Sequence, residues 1–140
     1  MSDFHHFLPI IVRYSDIDAQ GHVNNTRFGT YIESGRIAYL KDLELWDGSD
    51  FLNLGLIVAD VHIAYHKPIT FGQQIQVATR ISHIGNKSVK FESKILDVET
   101  GEPLATAETV TVGFDYQTET TIVISAEWRK AINDLEGTQF

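Results

Sequence analysis

Two carboxylates and the start of a long helical pattern lie close together near the N-terminus. Asp16 and Asp18 follow an apolar, strand-like stretch. A turn at Gly21 comes next, and the helical pattern opens at Asn24 and Asn25. This order delivers an acidic side chain to a helix N-terminus, where free N–H groups and the positive dipole end hold a carbonyl oxygen or an anion. A carboxylate beside an oxyanion donor is the minimum equipment for hydrolysing an acyl bond.

The local sequence leaves more than one role open for each polar side chain of this segment. Asp18 can act as a base or nucleophile, or it can hold its own loop as an Asx turn, and the local sequence alone favours the turn. His22 either orients a substrate or acts as a base, and otherwise is a hydrogen-bonded turn histidine. Asn24 is expected to cap the helix. His22 and Asn24 are both kept as candidate substrate-binding residues.

The elements that must position these residues follow from the spacing of apolar residues. Residues 8–14 read as a first strand, with Pro9 near its start, as on a sheet edge. From Asn25 the apolar residues recur every three or four positions, which predicts a helix, and this face comprises Phe28, Tyr31, Ile32, Gly35, Ala38 and Tyr39. Gly29 and Gly35 lower helix propensity, so we expect them to let another backbone come close, with the helix pressed tightly against a sheet.

The remainder of the chain reads mostly as strand. The predicted strands cover residues 57–63, 74–84, 89–95, 104–114 and 120–124. A short helix over residues 126–135 is expected to be capped by Ser125 and stopped by Gly137. The pattern is α+β, with one domain over residues 1–140. One helix cannot cover both faces of such a sheet, so self-association is expected.

Composition excludes several function classes. The 140 residues are 43% hydrophobic and carry a formal net charge of -8, which argues against a general nucleic-acid binder. No apolar run approaches the ~20 residues that cross a bilayer, and the N-terminus lacks a signal-peptide pattern. There is no cysteine, which excludes thiolate chemistry. We expect a cytoplasmic protein.

The acidic chain has a locally basic segment. Residues 61–91 contain no Asp or Glu but include Lys67, Arg80, Lys87 and Lys90. Such a segment can bind a discrete anionic ligand, or it can simply place lysine on strand surfaces as a guard against aggregation. These two readings carry equal weight. No metal site is expected, because His62 and His66 lack the helical zinc motif and would lie ~13 Å apart on a strand.

The motifs together resemble a known family. The segment D-I-D-A-Q-G-H-V-N-N at residues 16–25, the helical Glu33-x-x-Arg36 and the later Y-H-K-P-I-x-F-G at residues 65–72 are similar to hotdog-fold thioesterases, and more narrowly to the 4-hydroxybenzoyl-CoA thioesterase family. The resemblance implies an antiparallel sheet of about five strands wrapped on one long central helix. It also implies an acyl-CoA thioesterase without metal or cofactor, built as a dimer or tetramer whose sites take residues from both subunits.

The resemblance also assigns roles to residues. Asp18 matches the family's catalytic carboxylate, and Asn25 matches the helix-start residue whose N–H binds the thioester oxygen. Asp16 matches a position that serves the geometry of the loop. The turn at residues 85–88 resembles the place that contacts coenzyme A, so the candidate phosphate and pantetheine ligands are Arg80, Lys87, Ser88 and Lys90.

Two pairings and two rival functions remain open at this stage. Glu33 and Arg36, three residues apart on the helix, are expected to pair with each other, and Arg13 can neutralise either Asp16 or Glu33. The first rival is a hotdog 3-hydroxyacyl dehydratase or hydratase, although the histidine-led helix motif of that branch is not visible. The second is a non-catalytic module that binds acyl-CoA or an acyl carrier protein.

Overall fold

An antiparallel sheet forms the frame of the molecule in the computed structural model, which describes residues 3–140. Its five main strands run in the order β1-β3-β4-β5-β2, so β1 and β2 are the two edges. The strands are β1 (His6–Ile10), β2 (Leu56–Tyr65), β3 (Ile75–Ile84), β4 (Ser88–Asp97) and β5 (Pro103–Asp115), with a short β6 (Thr120–Thr121) paired to β5. Pro9 predicted that the first strand lies at an edge of the sheet, and this is confirmed.

Capping residues mark the start of both helices and the end of the second one. Helix α1 spans Asn25–Asp42, and the Asn24 side chain accepts a hydrogen bond from Thr26 N at 2.9 Å. Helix α2 spans Ala126–Glu136, and the Ser125 hydroxyl accepts from Trp128 N at 3.2 Å. Gly137 ends α2 in the left-handed conformation, at a φ of 70°. The predicted caps are confirmed because they depend on neighbours within a few residues.

Helix α1 lies closely against the sheet at one of its two glycines. A Cβ on Gly35 would stand 2.7 Å from Val77 Cγ1 and 2.7 Å from Thr79 Oγ1, both on β3. The helix is therefore pressed against the sheet at Gly35, as expected, but the nearest atoms belong to side chains and not to the backbone. The expected close approach is wrong for Gly29, where the nearest atom to an added Cβ is Ile63 Cδ1 at 3.9 Å.

The first strand ends earlier than its apolar residues predict. It stops at Ile10, which pairs with Ile75 at the start of β3, so no partner strand continues beyond that point. The chain then bends into a 3₁₀ turn at Tyr14–Asp16, where Asp16 N donates to Arg13 O at 2.9 Å. The residues predicted to extend the strand to position 14 instead lead into the carboxylate loop.

The last strand is also shorter than predicted, although its hydrogen bonding continues. Only Thr120–Thr121 pairs regularly with β5. Beyond it, Ile122 N donates to Gly113 O at 2.9 Å, and Ile124 N donates to Asn86 O at 3.0 Å. A Cβ on Gly113 would lie 2.4 Å from the Ile122 carbonyl oxygen, so only glycine lets the two backbones approach there.

The coverage of the sheet by α1 is uneven. The helix contacts β3, β1 and β4, while the edge strand β2 keeps apolar side chains in solvent, among them Val61 at 47% exposure and Tyr65 at 49%. An edge strand with exposed apolar residues is a surface that other chains can pair with. Within residues 3–140, neither helix is long and apolar enough to cross a membrane.

Candidate active site at the start of helix α1

The loop between β1 and α1 is closed by backbone hydrogen bonds. An isolated antiparallel bridge joins Ile17 to Val23. Asn24 N donates to Asp16 O and closes the loop on itself, while Val23 N donates to Ile69 O and ties the loop to the rest of the protein, each at 2.8 Å. Gly21 has a φ of 80°, so the predicted glycine turn is confirmed.

Asp16 is the buried carboxylate of this loop, with 0% exposure. It accepts hydrogen bonds from Tyr31 Oη at 2.7 Å, from Arg13 N at 3.0 Å and from Arg13 Nη2 at 3.1 Å, and Arg27 Nε lies 3.7 Å away. Burial alone would raise the pKa of Asp16, but the hydrogen bonds from Tyr31 and Arg13 outweigh it and hold the pKa below its ordinary value. Asp16 is thus a structural anchor, and it is the residue that Arg13 neutralises.

Asp18 is only partly buried and has a different set of partners. Its Oδ1 accepts from Gln20 N at 2.9 Å, which is the Asx turn, and its Oδ2 accepts from Asn24 Nδ2 at 3.2 Å. Both donors are neutral, and each carboxylate oxygen keeps a further lone pair. Asp18 therefore holds its loop and still has acceptor capacity for a water molecule or a substrate.

The start of α1 presents a main-chain donor beside Asp18. Asn24 uses its Oδ1 to accept from Thr26 N and from Thr26 Oγ1, at 2.9 Å and 2.7 Å, while its amide nitrogen reaches Asp18. Within residues 3–140, the N–H of Asn25 has no hydrogen-bond acceptor. The Asn25 carbonyl oxygen accepts from Tyr65 Oη at 3.3 Å. One asparagine side chain thus bridges the carboxylate and the open end of the helix.

The remaining residue expected in this loop is less engaged. His22 is exposed, and its backbone oxygen accepts from Asp18 N at 3.0 Å. That hydrogen bond shapes the loop, whereas the imidazole ring is left facing solvent. His22 stays a candidate for contact with a substrate on the surface of the loop.

The cations expected near coenzyme A are mostly paired with acidic residues. Arg80 donates to Glu92 through Nε at 2.9 Å and through Nη2 at 2.5 Å, and its Nη1 lies 3.3 Å from Asp3. Lys90 lies 3.3 Å from Glu108. These two cations form cross-strand ion pairs, and they offer less free charge than the basic segment suggests.

Lys87 lies at the end of the turn between β3 and β4, and Ser88 is the first residue of β4. Lys87 is exposed, and its Nζ donates to Thr121 Oγ1 at 3.1 Å. This turn follows Ile84, whereas the carboxylate loop follows β1 near Ile75, at the other end of the ten-residue strand β3. Ten strand residues span ~30 Å. A single chain therefore does not bring Lys87 and Asp18 together.

Arg36 is the residue of this region whose environment differs most from expectation. It is 8% exposed, and its Nη1 donates to Thr109 Oγ1 at 3.4 Å. The ion pair expected with Glu33 is absent from the ion pairs of residues 3–140, and Glu33 attracts Arg36 only at longer range. The signal that could have revealed its burial is its position between Ile32 and Leu40, on the apolar face of α1.

A cavity of about 320 Å³ lies between the C-terminal half of α1 and the first half of β2. It is lined mainly by apolar side chains, and Arg36 forms part of its wall. Small ligands with apolar parts bind in cavities of this kind. Across the described chain, residues 3–140, no group of three or more His, Asp or Glu side chains is placed to hold a metal ion.

Comparison with known proteins places this geometry in a family. The model of the thioesterase-like superfamily matches residues 12–132. The long-chain acyl-CoA thioesterase FadM of Escherichia coli (strain K12) is 22% identical over 126 residues, which cover 90% of this chain and 96% of that protein. A thioesterase from Thermus thermophilus, solved in complex with coenzyme A and Zn, superposes with a TM-score of 0.86 at 28% identity and 100% coverage of both chains.

A second solved structure agrees with the first. A predicted thioesterase from Bacillus stearothermophilus superposes with a TM-score of 0.85 at 26% identity, over 93% of this chain and 95% of that one. The family match spans the carboxylate loop, the whole of α1 and the sheet strands β2 to β5. Since that match covers most of the chain and the related proteins are thioesterases, this chain belongs to the thioesterase-like superfamily and is a thioester hydrolase.

Proposed function

We propose that this protein is an acyl-CoA thioesterase that uses Asp18 as its catalytic carboxylate and the N–H of Asn25 as its oxyanion donor. The observation that carries the proposal is the bridge through Asn24, which joins the carboxylate at 3.2 Å to the open start of α1. A base and an oxyanion donor must act on the same carbonyl group, and the hydrogen bonds of Asn24 to Asp18 and to the first turn of α1 support this arrangement.

The reaction follows from the two groups. With Asp18 as a general base, the carboxylate removes a proton from water, and the water oxygen bonds to the thioester carbon. The carbonyl electrons move to oxygen, where the Asn25 N–H stabilises them, and a lost donor of this type typically costs ~3 kcal/mol. Collapse breaks the C–S bond, so that the acid is formed and the thiolate of coenzyme A leaves. The thiolate takes up the proton that Asp18 removed from water, which restores the carboxylate. With Asp18 as a nucleophile, a mixed anhydride forms first, and water then cleaves it.

A second copy of the chain completes the site in this proposal. Tyr65, at one end of the edge strand β2, donates to Asn25 O. The other end of β2 pairs with β5 at Val112, which in turn pairs with Ser88, the first residue of β4 after the Lys87 turn. Antiparallel pairing of β2 with its counterpart would bring the Lys87 turn of one copy to the Asp18 loop of the other.

The assembled molecule is then a hotdog dimer. In each copy a single domain over residues 1–140 curls its sheet around α1. Lys87 and Ser88 contact the phosphates or the pantetheine arm of coenzyme A, while Arg80 and Lys90 would have to exchange their carboxylate partners to take part. The exposed apolar residues of β2, such as Val61, supply the buried area of the interface.

One assay separates this function from its rivals. The purified protein is offered acyl-CoAs of several chain lengths, an enoyl-CoA and an acyl carrier protein thioester, and free thiol is measured. Release of thiol from acyl-CoA that is lost in Asp18→Asn supports the proposal. Hydration of the enoyl-CoA without thiol would indicate the hydratase, binding without turnover would indicate a non-catalytic module, and release only from the carrier thioester would replace coenzyme A as the acyl donor.

A labelling experiment distinguishes the two roles of Asp18. Under single turnover in ¹⁸O-water, label that enters the Asp18 carboxyl group requires a covalent anhydride whose Asp18 carbonyl carbon is attacked by water. General-base catalysis puts the label only in the released acid. Mass spectrometry of the peptide that contains Asp18 reads the result.

A further inference from the structure

Arg36 is a buried cation with little to bind. The guanidinium group has five N–H donors. Its one hydrogen bond within residues 3–140, to Thr109 Oγ1, is long at 3.4 Å. Among residues 3–140 no carboxylate forms an ion pair with it. Burial lowers the pKa of Arg36, and the attraction of Glu33 opposes that shift, but an arginine stays charged at any physiological pH. A buried guanidinium with unused donors in the wall of a cavity is stabilised when a hydrogen-bond acceptor occupies that cavity.

The other polar groups of the cavity wall are already engaged or exposed. The Thr111 hydroxyl donates to Val89 O at 3.0 Å, and the Tyr116 hydroxyl donates to Leu56 O. Glu33 is exposed to solvent, and as an acceptor-only group it supplies no hydrogen-bond donor to the cavity. Arg36 is therefore the wall residue with spare hydrogen-bond donors, in surroundings that are otherwise mostly apolar.

We propose that this cavity receives the far part of the acyl group and that Arg36 selects acyl groups whose far end carries an oxygen acceptor, either a hydroxyl or a carboxylate. The proposal rests on the thioesterase function proposed above. A methyl-terminated chain leaves the buried guanidinium without its missing partners, whereas a terminal oxygen supplies one. A hydrogen bond to a charged group of this kind is worth roughly a tenfold preference in kcat/KM.

In the proposed dimer, the cavity of one copy lies next to the Asp18 loop of the other copy. Its β2 residues are Leu56, Ile57 and Val58, at the end of the strand opposite to Tyr65, which bonds to Asn25. The antiparallel pairing of β2 described above places these residues beside Tyr65 of the second copy. The acyl group attacked at Asp18 of one chain therefore extends toward Arg36 of the other.

Substrate discrimination gives the first test. The wild type is assayed with acyl-CoAs of matched chain length that end in a methyl, a hydroxyl or a carboxyl group. We expect kcat/KM to be roughly tenfold higher for at least one oxygen-terminated substrate. Equal values for all three would overturn the proposal.

Substitution of Arg36 gives the second test. Arg36→Met has a similar length and no donors, so the ratio of kcat/KM between oxygen-terminated and methyl-terminated substrates should fall to about one. Arg36→Lys keeps the charge with fewer donors and should retain an intermediate ratio. A preference that survives in Arg36→Met would overturn the proposal. If Arg36→Met does not fold, Arg36→Lys and the wild-type preference decide.

Mixed dimers test which copy the cavity serves. Asp18→Asn homodimers should be inactive, and Arg36→Met homodimers should be active without preference. When the two variants are refolded together, each mixed dimer contains one site with Asp18 from one chain and Arg36 from the other. Recovery of the preference in the mixture supports a shared site, whereas activity without preference would overturn it.

A binding measurement separates this inference from the proposed reaction. Dodecanoate should raise the melting temperature of the wild type more than that of Arg36→Met, and dodecyltrimethylammonium, of equal chain length and opposite charge, should not distinguish the two. This holds even if no thioester tested is turned over, a result that would count against the proposed reaction alone. Equal stabilisation of both proteins by dodecanoate would overturn the role of Arg36.

Discussion

The two carboxylates of the loop before α1 stand two residues apart in the sequence and in opposite environments. Asp16 is wholly buried and accepts hydrogen bonds from Tyr31 and Arg13, and the Arg27 guanidinium lies 3.7 Å from its carboxylate. Asp18 is partly exposed and accepts from one backbone N–H and one side-chain amide. Because Asp16 is buried and paired with cations, it stabilises the loop. Asp18 has only neutral hydrogen-bond donors, so its carboxylate stays able to react. The contrast predicts that stability and activity depend on different members of the pair.

The largest effect is expected for the activity of Asp18→Asn. Asparagine can keep the Asx turn to Gln20, but it cannot act as a base or as a nucleophile. We expect kcat/KM for thiol release to fall by about 10³-fold, while the urea midpoint changes little. Substantial residual activity in this variant, with normal folding, would show that Asp18 serves the turn alone.

The next effect is expected for the stability of Asp16→Ala. This change leaves the Tyr31 hydroxyl and the donors of Arg13 without their acceptor in a buried site, so the free energy of unfolding should fall by about 3 kcal/mol. Tyr31→Phe is the matched control, because it removes one of these hydrogen bonds and should cost about 1 kcal/mol. Urea denaturation measures both. A cost for Asp16→Ala no larger than that for Tyr31→Phe would contradict the anchoring role.

A pH dependence should follow from the lowered pKa of Asp16. The unfolded chain binds a proton at this residue near its ordinary value of 3.8, and the folded protein binds it only at lower pH. The stability from Asp16 is therefore fully present above that value and is lost as the pH falls through the folded pKa. Denaturation between neutral and acidic pH should show a shallower loss of stability for Asp16→Asn than for the wild type.

Two other carboxyl groups contribute to the same acid response in both proteins. The pKa of Asp47 is lowered by hydrogen bonds from Ser49, and that of Asp97 is lowered first by the amide of Gln73 and then by Thr100. Both lie outside the carboxylate loop, so they form a common background. Parallel pH curves for wild type and Asp16→Asn would mean that Asp16 does not stabilise the fold through its charge.

The parts of the fold that were predictable are those that local chemistry decides. The start of α1 depends on the Asn24 cap, and the alternation of β3 and β4 depends on neighbouring side chains. The end of β1 depends on where its partner β3 begins, at Ile75, which lies far along the chain. The role of Gly113 likewise arises only when Ile122 folds back onto it.

The candidate site divides in the same way. Asp18, Asn24 and Asn25 belong to one continuous motif, so their proximity follows from the sequence. The burial of Arg36 depends on Thr109, a residue of β5 that is 73 positions away. The separation of Lys87 from Asp18 depends on the direction of β3 in the sheet, which periodicity does not reveal.

The smallest effect is expected at Asn24, the residue that joins the reactive carboxylate to the helix. Asn24→Ser keeps a good cap, so stability should stay within about 0.5 kcal/mol of the wild type. It removes the amide that orients Asp18, and kcat/KM should fall by about fivefold. Asn24→Ala loses the cap as well and should cost about 1 kcal/mol in addition. If Asn24→Ser lost as much activity as Asp18→Asn, the amide itself would have to contact the reacting atoms, and the contrast between a structural and a reactive carboxylate would need a third, catalytic member.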